Sequence, residues 1–395
     1  MGAERRLIRA FYVCHDGDLF GSQQSLAIMA AHARDFDIAP VVSIARPGPL
    51  TARLASIPGL TLATHRRLQW FKHDQRSGFQ RVGDAAGLLA SAWPRARALA
   101  ALLRAHRADV VHSNSLVSLE GALAARLAGI PHVWHIRELF VSDNPKLRPT
   151  LGADGVRRVV EAFSTRILCI SQAVAAQFSQ EATARLVVMP NAVAMAANQT
   201  PVAPLWPPAE GRLRVGYVGR LTAGKRFGDL IEALAILGDA TPIELVVAGK
   251  FVDAPYEAFI RARLDALGVG DRVRLLGVLD DLRPFYAGID ALALPSKDEP
   301  FGRALIEAMA AGAPCIGADS GGIPEIIAHE RTGLLYPCGD ARALAAALAR
   351  YWREPDLRRT LANNAGRAAA QRFTIETQMQ ALRAVYDAAL TTAHR

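Results

Sequence analysis

Glu299 and Glu307 stand eight positions apart in the run Ser296-Lys297-Asp298-Glu299-Pro300-Phe301-Gly302-Arg303-Ala304-Leu305-Ile306-Glu307-Ala308-Met309-Ala310-Ala311-Gly312. Residues 291–295 read as a short buried strand, 299–302 as the loop at its carboxyl end, and 303–311 as a helix stopped by Gly312 and Pro314. In a doubly wound domain that end of a strand faces the ligand crevice, which places Glu299 in it. Glu307 lies one to two turns into the helix, roughly 8 Å further along at about 1.5 Å per residue. Two acids so placed are able to hold opposite ends of one elongated polar ligand.

Positive charge is expected close by. Gly219-Arg220-Leu221-Thr222-Ala223-Gly224-Lys225 follows the strand-like run 213–218, which puts a guanidinium and an ammonium at a strand mouth. Arg offers a planar fork and Lys a point charge, and both stabilise a departing anion strongly where water is excluded. The N–H groups of Phe301, Gly302 and Arg303 open one helix and those of Ser320, Gly321 and Gly322 open the next. Both ends are able to donate to hydroxyls or phosphate oxygens. Two Asp-x-Asp strings, Asp16-Gly17-Asp18 and Asp35-Phe36-Asp37, match a metal-holding pattern, but the string is short and reads as turn-forming Asp.

The block Glu299-Pro-Phe-Gly-x4-Glu307-Ala-Met-Ala-x-Gly-x-Pro continues into Asp319-Ser320-Gly321-Gly322-Ile323-Pro324-Glu325 and Thr332-Gly333-Leu334-Leu335-Tyr336-Pro337. In this order the motifs resemble those of the retaining, nucleotide-sugar-dependent glycosyltransferases of the GT-B fold, specifically glycosyltransferase family 4. The resemblance implies that Glu299 meets the donor sugar's hydroxyls, Glu307 the ribose hydroxyls, and Arg220 and Lys225 the diphosphate. Phe301, Gly302, Gly321 and Gly322 complete the donor site. It also implies that His135, at the end of Pro131-His132-Val133-Trp134-His135, is the active-site histidine, bonding the donor sugar near C6. Arg137 and Glu138 would follow on the acceptor side. In the loop 16–25 Gly21 would approach the diphosphate, although Ser22 stands where the family has a second glycine. No cofactor or metal is implied. The co-substrate would be a UDP- or GDP-linked sugar and the acceptor a hydroxyl of a glycan or lipid-linked intermediate. Same-face substitution is implied, and a double displacement through Glu299 is the rival route.

The elements that must carry these residues form two series. Strand-like runs fall at 7–14, 40–44, 60–64, 109–112, 132–135, 166–170 and 186–189, then at 213–218, 243–248, 273–276, 291–294, 315–317 and 334–336, with helical patterns between. Several are continuously apolar, as in parallel strands covered on both faces. Two Rossmann-like α/β domains facing a cleft are the economical architecture: residues 1–195 for the acceptor and 196–372 for the donor. They are joined by a Pro- and Ala-rich linker at 190–211. By the resemblance, a last helix at about 375–392, within a closing segment 373–395, packs back on the first domain.

The 395 residues and 51% hydrophobic content suffice for two cores. Met1 to Arg9 is too charged for a signal peptide. The longest uncharged stretch, 186–209, holds five prolines and cannot span a bilayer. A cytoplasmic protein is therefore expected. Four scattered cysteines, Cys14, Cys169, Cys315 and Cys338, read as reduced thiols.

All of the +9 net charge lies in residues 1–195, with 23 Lys and Arg against 14 Asp and Glu. It is densest at 65–81, where Trp70, Phe71 and Phe79 interleave with basic side chains. That segment either docks on an anionic membrane surface or turns its aromatics into the core. No nucleic-acid module accompanies the charge. A NAD-dependent dehydrogenase would need Gly-x-Gly-x-x-Gly after a first strand, which neither half supplies. A nucleotide-sugar epimerase of the same fold and a non-catalytic sugar-nucleotide binder are the remaining alternatives.

Overall fold

The computed structural model describes residues 6–68, 70–72, 78–141, 148–195, 202–207 and 211–393. The chain divides into two compact units, Met1–Asn191 with Ile375–Arg395, and Ala192–Thr374.

In the first unit a parallel sheet is built from β1 (Ile8–Cys14), β2 (Ile38–Ile44), β3 (Thr61–Thr64), β5 (Val110–Ser113), β6 (His132–Ile136), β8 (Arg166–Cys169) and β9 (Leu186–Val188), in the order β3-β2-β1-β5-β6-β8-β9. Successive residues of β1 point to opposite faces, and both faces are covered. Tyr12 and Cys14 pack with Leu26 and Met29 of α1 (Gly21–His32) and with Met379, Leu382 and Tyr386 of the closing helix. Phe11 and Val13 pack on the other side with Leu99, Leu103, Ala124 and Ala125. This two-sided burial is why β1 reads as an unbroken apolar run.

Helix Ile375–Ala393 is held to this sheet by polar contacts as well as by packing. The Tyr386 hydroxyl lies 2.8 Å from His112 Nδ1. Buried Arg383 donates to the carbonyls of Arg6, Phe36 and Asp37 and pairs with Asp387 at 3.1 Å.

A two-stranded antiparallel ladder, β4 (Phe71–Lys72) with β7 (Arg148–Pro149), was not anticipated from the sequence. It accompanies a correction at 65–81. Trp70 and Phe71 are buried; the Trp70 indole donates to the Leu116 carbonyl at 3.1 Å and stacks on Trp134 at 5.9 Å. Of the two readings of that segment, these rings follow the core one, because burying large aromatic surface outweighs leaving it wet. Gln69 and residues 73–77 lie outside the described residues, and so does any side-chain role for Phe79. Among the described residues no helix is long and apolar enough to cross a membrane.

The second unit has six parallel strands, β10 (Leu213–Val218), β11 (Ile243–Ala248), β12 (Val273–Leu275), β13 (Ala291–Leu294), β14 (Cys315–Asp319) and β15 (Gly333–Pro337), in the order β12-β11-β10-β13-β14-β15. Part of the expected linker is fixed to this unit. Leu205 N–H donates to the Pro284 carbonyl at 2.9 Å, and Trp206 lies under the Arg214 guanidinium at 5.1 Å. All four cysteines are free thiols.

Both sheets reverse strand order once, between β1 and β5 and between β10 and β13. At such a switch point the flanking helices diverge to opposite faces and leave a crevice beyond the carboxyl ends of the strands.

Candidate functional site

In the second unit, the loops after β10 and β13 meet at the switch point. Gly219 to Lys225 leaves β10 and closes in a 3-10 turn, Ala223–Lys225. Lys297 N–H donates to the Gly224 carbonyl at 3.0 Å, tying the two loops together. Across that junction Lys225 Nζ is ion-paired with the Glu299 carboxylate, with side-chain exposures of 26% and 11%. Arg220 is exposed, and its carbonyl accepts from the Tyr217 hydroxyl at 3.0 Å. The next basic residue, Arg226, is directed away from this pair. It grips Asp229 with two bonds of 2.7 and 3.0 Å, which raise its pKa further.

Glu299 is presented by a constrained loop. Asp298 is left-handed (φ 50°) and donates its N–H to Ser320 Oγ at 2.9 Å. Gly322 N–H donates to the Glu299 carbonyl at 2.7 Å, so this N–H already has a partner within the protein. Gly321 has φ +59°, and a Cβ there would collide with the Glu299 carbonyl and lie 2.8 Å from its nitrogen. The two loops touch backbone to backbone, which only glycine permits. Buried Ser296, next to β13, has a hydroxyl with no partner among the described residues.

Gly302 (φ 104°) precedes the helix α2 (Arg303–Ala310) that carries Glu307. The Glu307 carboxylate accepts from the Tyr286 hydroxyl at 2.9 Å and pairs with Arg303, one turn back, at 2.7 Å. Burial first, then the facing carboxylate, drives the Tyr286 pKa well up, so its proton stays on the bond to Glu307. The Phe301 ring is buried edge-on against Phe373 at 5.9 Å, so what this residue offers a ligand is its backbone. Sequence reasoning missed Tyr286 and Arg303. The i,i+4 spacing of Arg303 and Glu307 was a usable signal; Tyr286, 21 residues away, gave none.

In the first unit His135, the fourth residue of β6, is fully buried. Its Nδ1 lies 3.2 Å from an Arg137 guanidinium nitrogen, which is donor-only, so Nδ1 accepts and the proton sits on Nε2. That Nε2 is buried with no partner among the described residues. Arg137 is itself anchored to Asn191 Oδ1 at 2.6 Å, and Asn191 also accepts from Ser25 at 2.9 Å. Glu138 is engaged internally, accepting from the Ser115 hydroxyl, Leu116 N–H and Arg137 N–H. The expectation that Arg137 and Glu138 line an acceptor finds no support here: Arg137 is buried, Glu138 is half-buried, and the bonds just described hold their own loop.

Gly21 opens α1, is exposed, and has nothing within 4 Å of where a Cβ would stand. Among the described residues no contact requires glycine there, which leaves room for a ligand. The Asp16 and Asp18 carboxylates face Arg46 at 2.8 and 3.5 Å, and Asp35 and Asp37 lie beside His32 and Arg383.

Burial lowers the pKa of four histidines in this unit. His15 and His132 fall to about 4, and His112 and His135 well below their ordinary value. The unfolded chain protonates them near pH 6.5 while the folded protein does not. The stability of this unit is therefore expected to fall as pH drops below about 6.5 and to keep falling toward 4, each histidine costing roughly 1.4 kcal/mol for every pH step of one across that window. Urea midpoints between pH 7.5 and 4.5 measure this, and a flat profile contradicts it.

The family model "Glycosyltransferase Family 4" matches residues 41–196 and "Glycosyl transferases group 1" matches 206–368. The D-inositol 3-phosphate glycosyltransferase of Actinosynnema mirum is 30% identical over 312 residues, covering 71% of this chain and 72% of that protein. The first curated relatives are matched over less of their length. The N-acetyl-alpha-D-glucosaminyl L-malate synthase of Bacillus anthracis is 33% identical over 43% of this chain and 44% of its own. The lipopolysaccharide core mannosyltransferase LpcC of Rhizobium leguminosarum is 32% identical over 46% and 52%. Matched stretches of this chain thus span about half the length of these two relatives.

Among solved structures, HepE of Anabaena in complex with UDP-glucose superposes with a TM-score of 0.76 at 22% identity, over 96% of this chain and all of that one. Sucrose-phosphate synthase of Thermosynechococcus elongatus gives 0.74 at 20%, over 96% and 98%. Two all-parallel Rossmann-like sheets, a pair of matching family models in chain order and a relative matched along most of its length lead to one assignment: the chain belongs to glycosyltransferase family 4 and has the GT-B fold.

Proposed function

We propose that this protein is a retaining, metal-independent glycosyltransferase that moves a sugar from a UDP- or GDP-linked donor to a hydroxyl of a glycan or lipid-linked acceptor. The observation that carries this reading is the Lys225–Glu299 ion pair at the β10/β13 switch point, with the Tyr286-supported Glu307 on the adjoining helix. A diphosphate arriving between Arg220 and Lys225 draws the ammonium toward phosphate oxygens. Glu299 is then free to accept from the sugar's hydroxyls, while Glu307 accepts from the ribose. His135 offers the transferred sugar a neutral N–H donor. As the bond from the anomeric carbon to the phosphate oxygen breaks, negative charge grows on the diphosphate, where the two fixed cations stabilise it. The acceptor oxygen bonds the anomeric carbon on the face the diphosphate leaves, and its proton passes to a donor phosphate oxygen.

The relatives support the donor class: HepE was solved with UDP and with UDP-glucose, and LpcC is a named mannosyltransferase. The test is thermal shift with UDP, GDP, ADP and their common sugars. A ligand that binds only the folded state stabilises it by about 2.7 kcal/mol at a hundred times its dissociation constant, so one nucleotide should raise Tm clearly above the others. Transfer should survive EDTA. No response to any nucleotide, or reversible loss of transfer on chelation, overturns the proposal.

A further inference from the structure

The residue that orients Glu307 comes from outside its own helix. Tyr286 lies in the short helix Arg283–Ala287 between β12 and β13, where Pro284 falls in the first turn and the Gly288 N–H closes the end on the Phe285 carbonyl at 3.0 Å. Phe285 is turned onto β10: a Cβ on Gly216 would come within 3.0 Å of its ring, and Trp206 meets that ring at 6.0 Å. Tyr286, next in sequence and buried, packs edge-on to Phe285 at 5.9 Å, which fixes where its own ring lies. Its hydroxyl donates to Glu307 Oε2 at 2.9 Å.

The other oxygen of this carboxylate is held differently. Arg303 Nε lies 2.7 Å from Oε1, yet neither Nε nor Nη1 of Arg303 has a hydrogen-bond partner among the described residues, so these N–H groups are near the carboxylate without being aimed at it. Such a pair attracts but does not orient, because a hydrogen bond weakens steeply once it is bent. The directed bond is therefore the one from Tyr286. It comes from a neutral group, so the carboxylate keeps its charge. An ionised carboxylate has about four acceptor positions, two on each oxygen, and one hydroxyl fills one of them. Without that hydroxyl the carboxylate is free to turn about its last torsion and close on the Arg303 guanidinium as a two-bond fork, the arrangement these two groups favour. Both oxygens would then face Arg303 and neither a ligand. The Glu307 side chain is 14% exposed and so within reach of a ligand, while Tyr286 acts from behind it.

We propose that Tyr286 is a positioning residue that makes nucleotide affinity depend on an intact ribose: its hydroxyl keeps the Glu307 carboxylate from closing on Arg303 and leaves an acceptor position on each oxygen for the sugar's two hydroxyls. This rests on the reading of Glu307 as the ribose acceptor of a nucleotide-sugar-dependent transferase.

The test measures dissociation constants of the full chain by calorimetry for UDP, for GDP and for the 2′-deoxy form of each. The wild-type protein is expected to bind one of the two ribonucleotides about tenfold more tightly than its 2′-deoxy form, the difference made by one hydrogen bond to a charged acceptor. In Tyr286→Phe that ribonucleotide should weaken about tenfold and the 2′-deoxy form should hold, so the preference disappears. Arg303→Ala leaves the tyrosine bond in place and should keep the preference. Adding it to Tyr286→Phe should restore part of what was lost, because the competing fork is gone. A tyrosine that merely packs would weaken both forms by the same factor. That result, an undiminished preference in Tyr286→Phe, or its loss in Arg303→Ala overturns the positioning role while nucleotide binding by the wild-type protein stands. Should Tyr286→Phe fail to fold, Arg303→Ala alone decides. Equal affinity for the ribose and deoxyribose forms in the wild-type protein removes the ribose from Glu307 and the inference with it. Binding of neither UDP nor GDP removes the donor reading itself, so each failure is recognisable as its own.

Discussion

Lys225→Ala is expected to lower turnover on the order of 10²-fold or more, equivalent to roughly 3 kcal/mol of lost transition-state stabilisation. Two effects add. The variant removes a cation from the departing diphosphate, and it leaves the Glu299 carboxylate, 11% exposed in the folded protein, without its partner beside an anionic donor. Arg220→Ala likewise removes a cation from the departing diphosphate, and because Arg220 is exposed, where water screens its charge, its loss should be the smaller of the two. Combining Lys225→Ala with Glu299→Gln should recover part of the donor affinity, because the repulsion disappears along with the charge. Initial rates and nucleotide dissociation constants for the three variants measure this. A fall in kcat larger than the rise in KM identifies stabilisation made mainly in the transition state. Near-normal turnover in both single variants would remove the diphosphate assignment.

Gly321→Ala is expected to destabilise the second unit by about 1–2 kcal/mol from the left-handed backbone alone. The collision of the new Cβ with the Glu299 main chain adds to that. Neither atom in that collision belongs to a side chain able to swing aside, so the 320–322 loop must move and carry the Glu299 loop with it. Activity should therefore fall together with the urea midpoint. Gly21→Ala provides the contrast. Its Cβ meets nothing, and alanine at a helix start costs no stability, so the midpoint should hold while donor binding weakens where a ligand needs that space. If Gly21→Ala leaves the nucleotide dissociation constant unchanged, Gly21 is not a donor contact. A wild-type urea midpoint in Gly321→Ala would show that the loops are not packed as described.

Much of the architecture was legible because the physics that writes it is local. β10, β11 and β13 have the bounds their apolar runs indicated, since a parallel strand covered on both faces shows itself as four to seven apolar residues between breakers. The helix carrying Glu307 began at Arg303 as expected, and the structure adds that Gly302 enters it with a left-handed backbone. Two-residue strands such as β4 and β7 leave no such trace: their pairing across 71–149 is fixed by where the chain has already been brought.

The sequence by itself determined the element series, the loop and helix positions of Glu299 and Glu307, and the cations after β10. Each depends on residues within a turn or two of one another. Only the tertiary structure decided which charges face which: that Lys225 meets Glu299 while Arg226 turns to Asp229, that Tyr286 supports Glu307, and that Trp70 and Phe71 fill a core. It also decided that Arg137 holds His135 in the tautomer whose Nε2–H has no partner among the described residues. Neighbouring residues in a strand or turn point in directions set by backbone dihedrals, but the partner each one finds comes from a segment tens of residues away. Burial then fixes the charge, the proton position and the orientation that the partner permits.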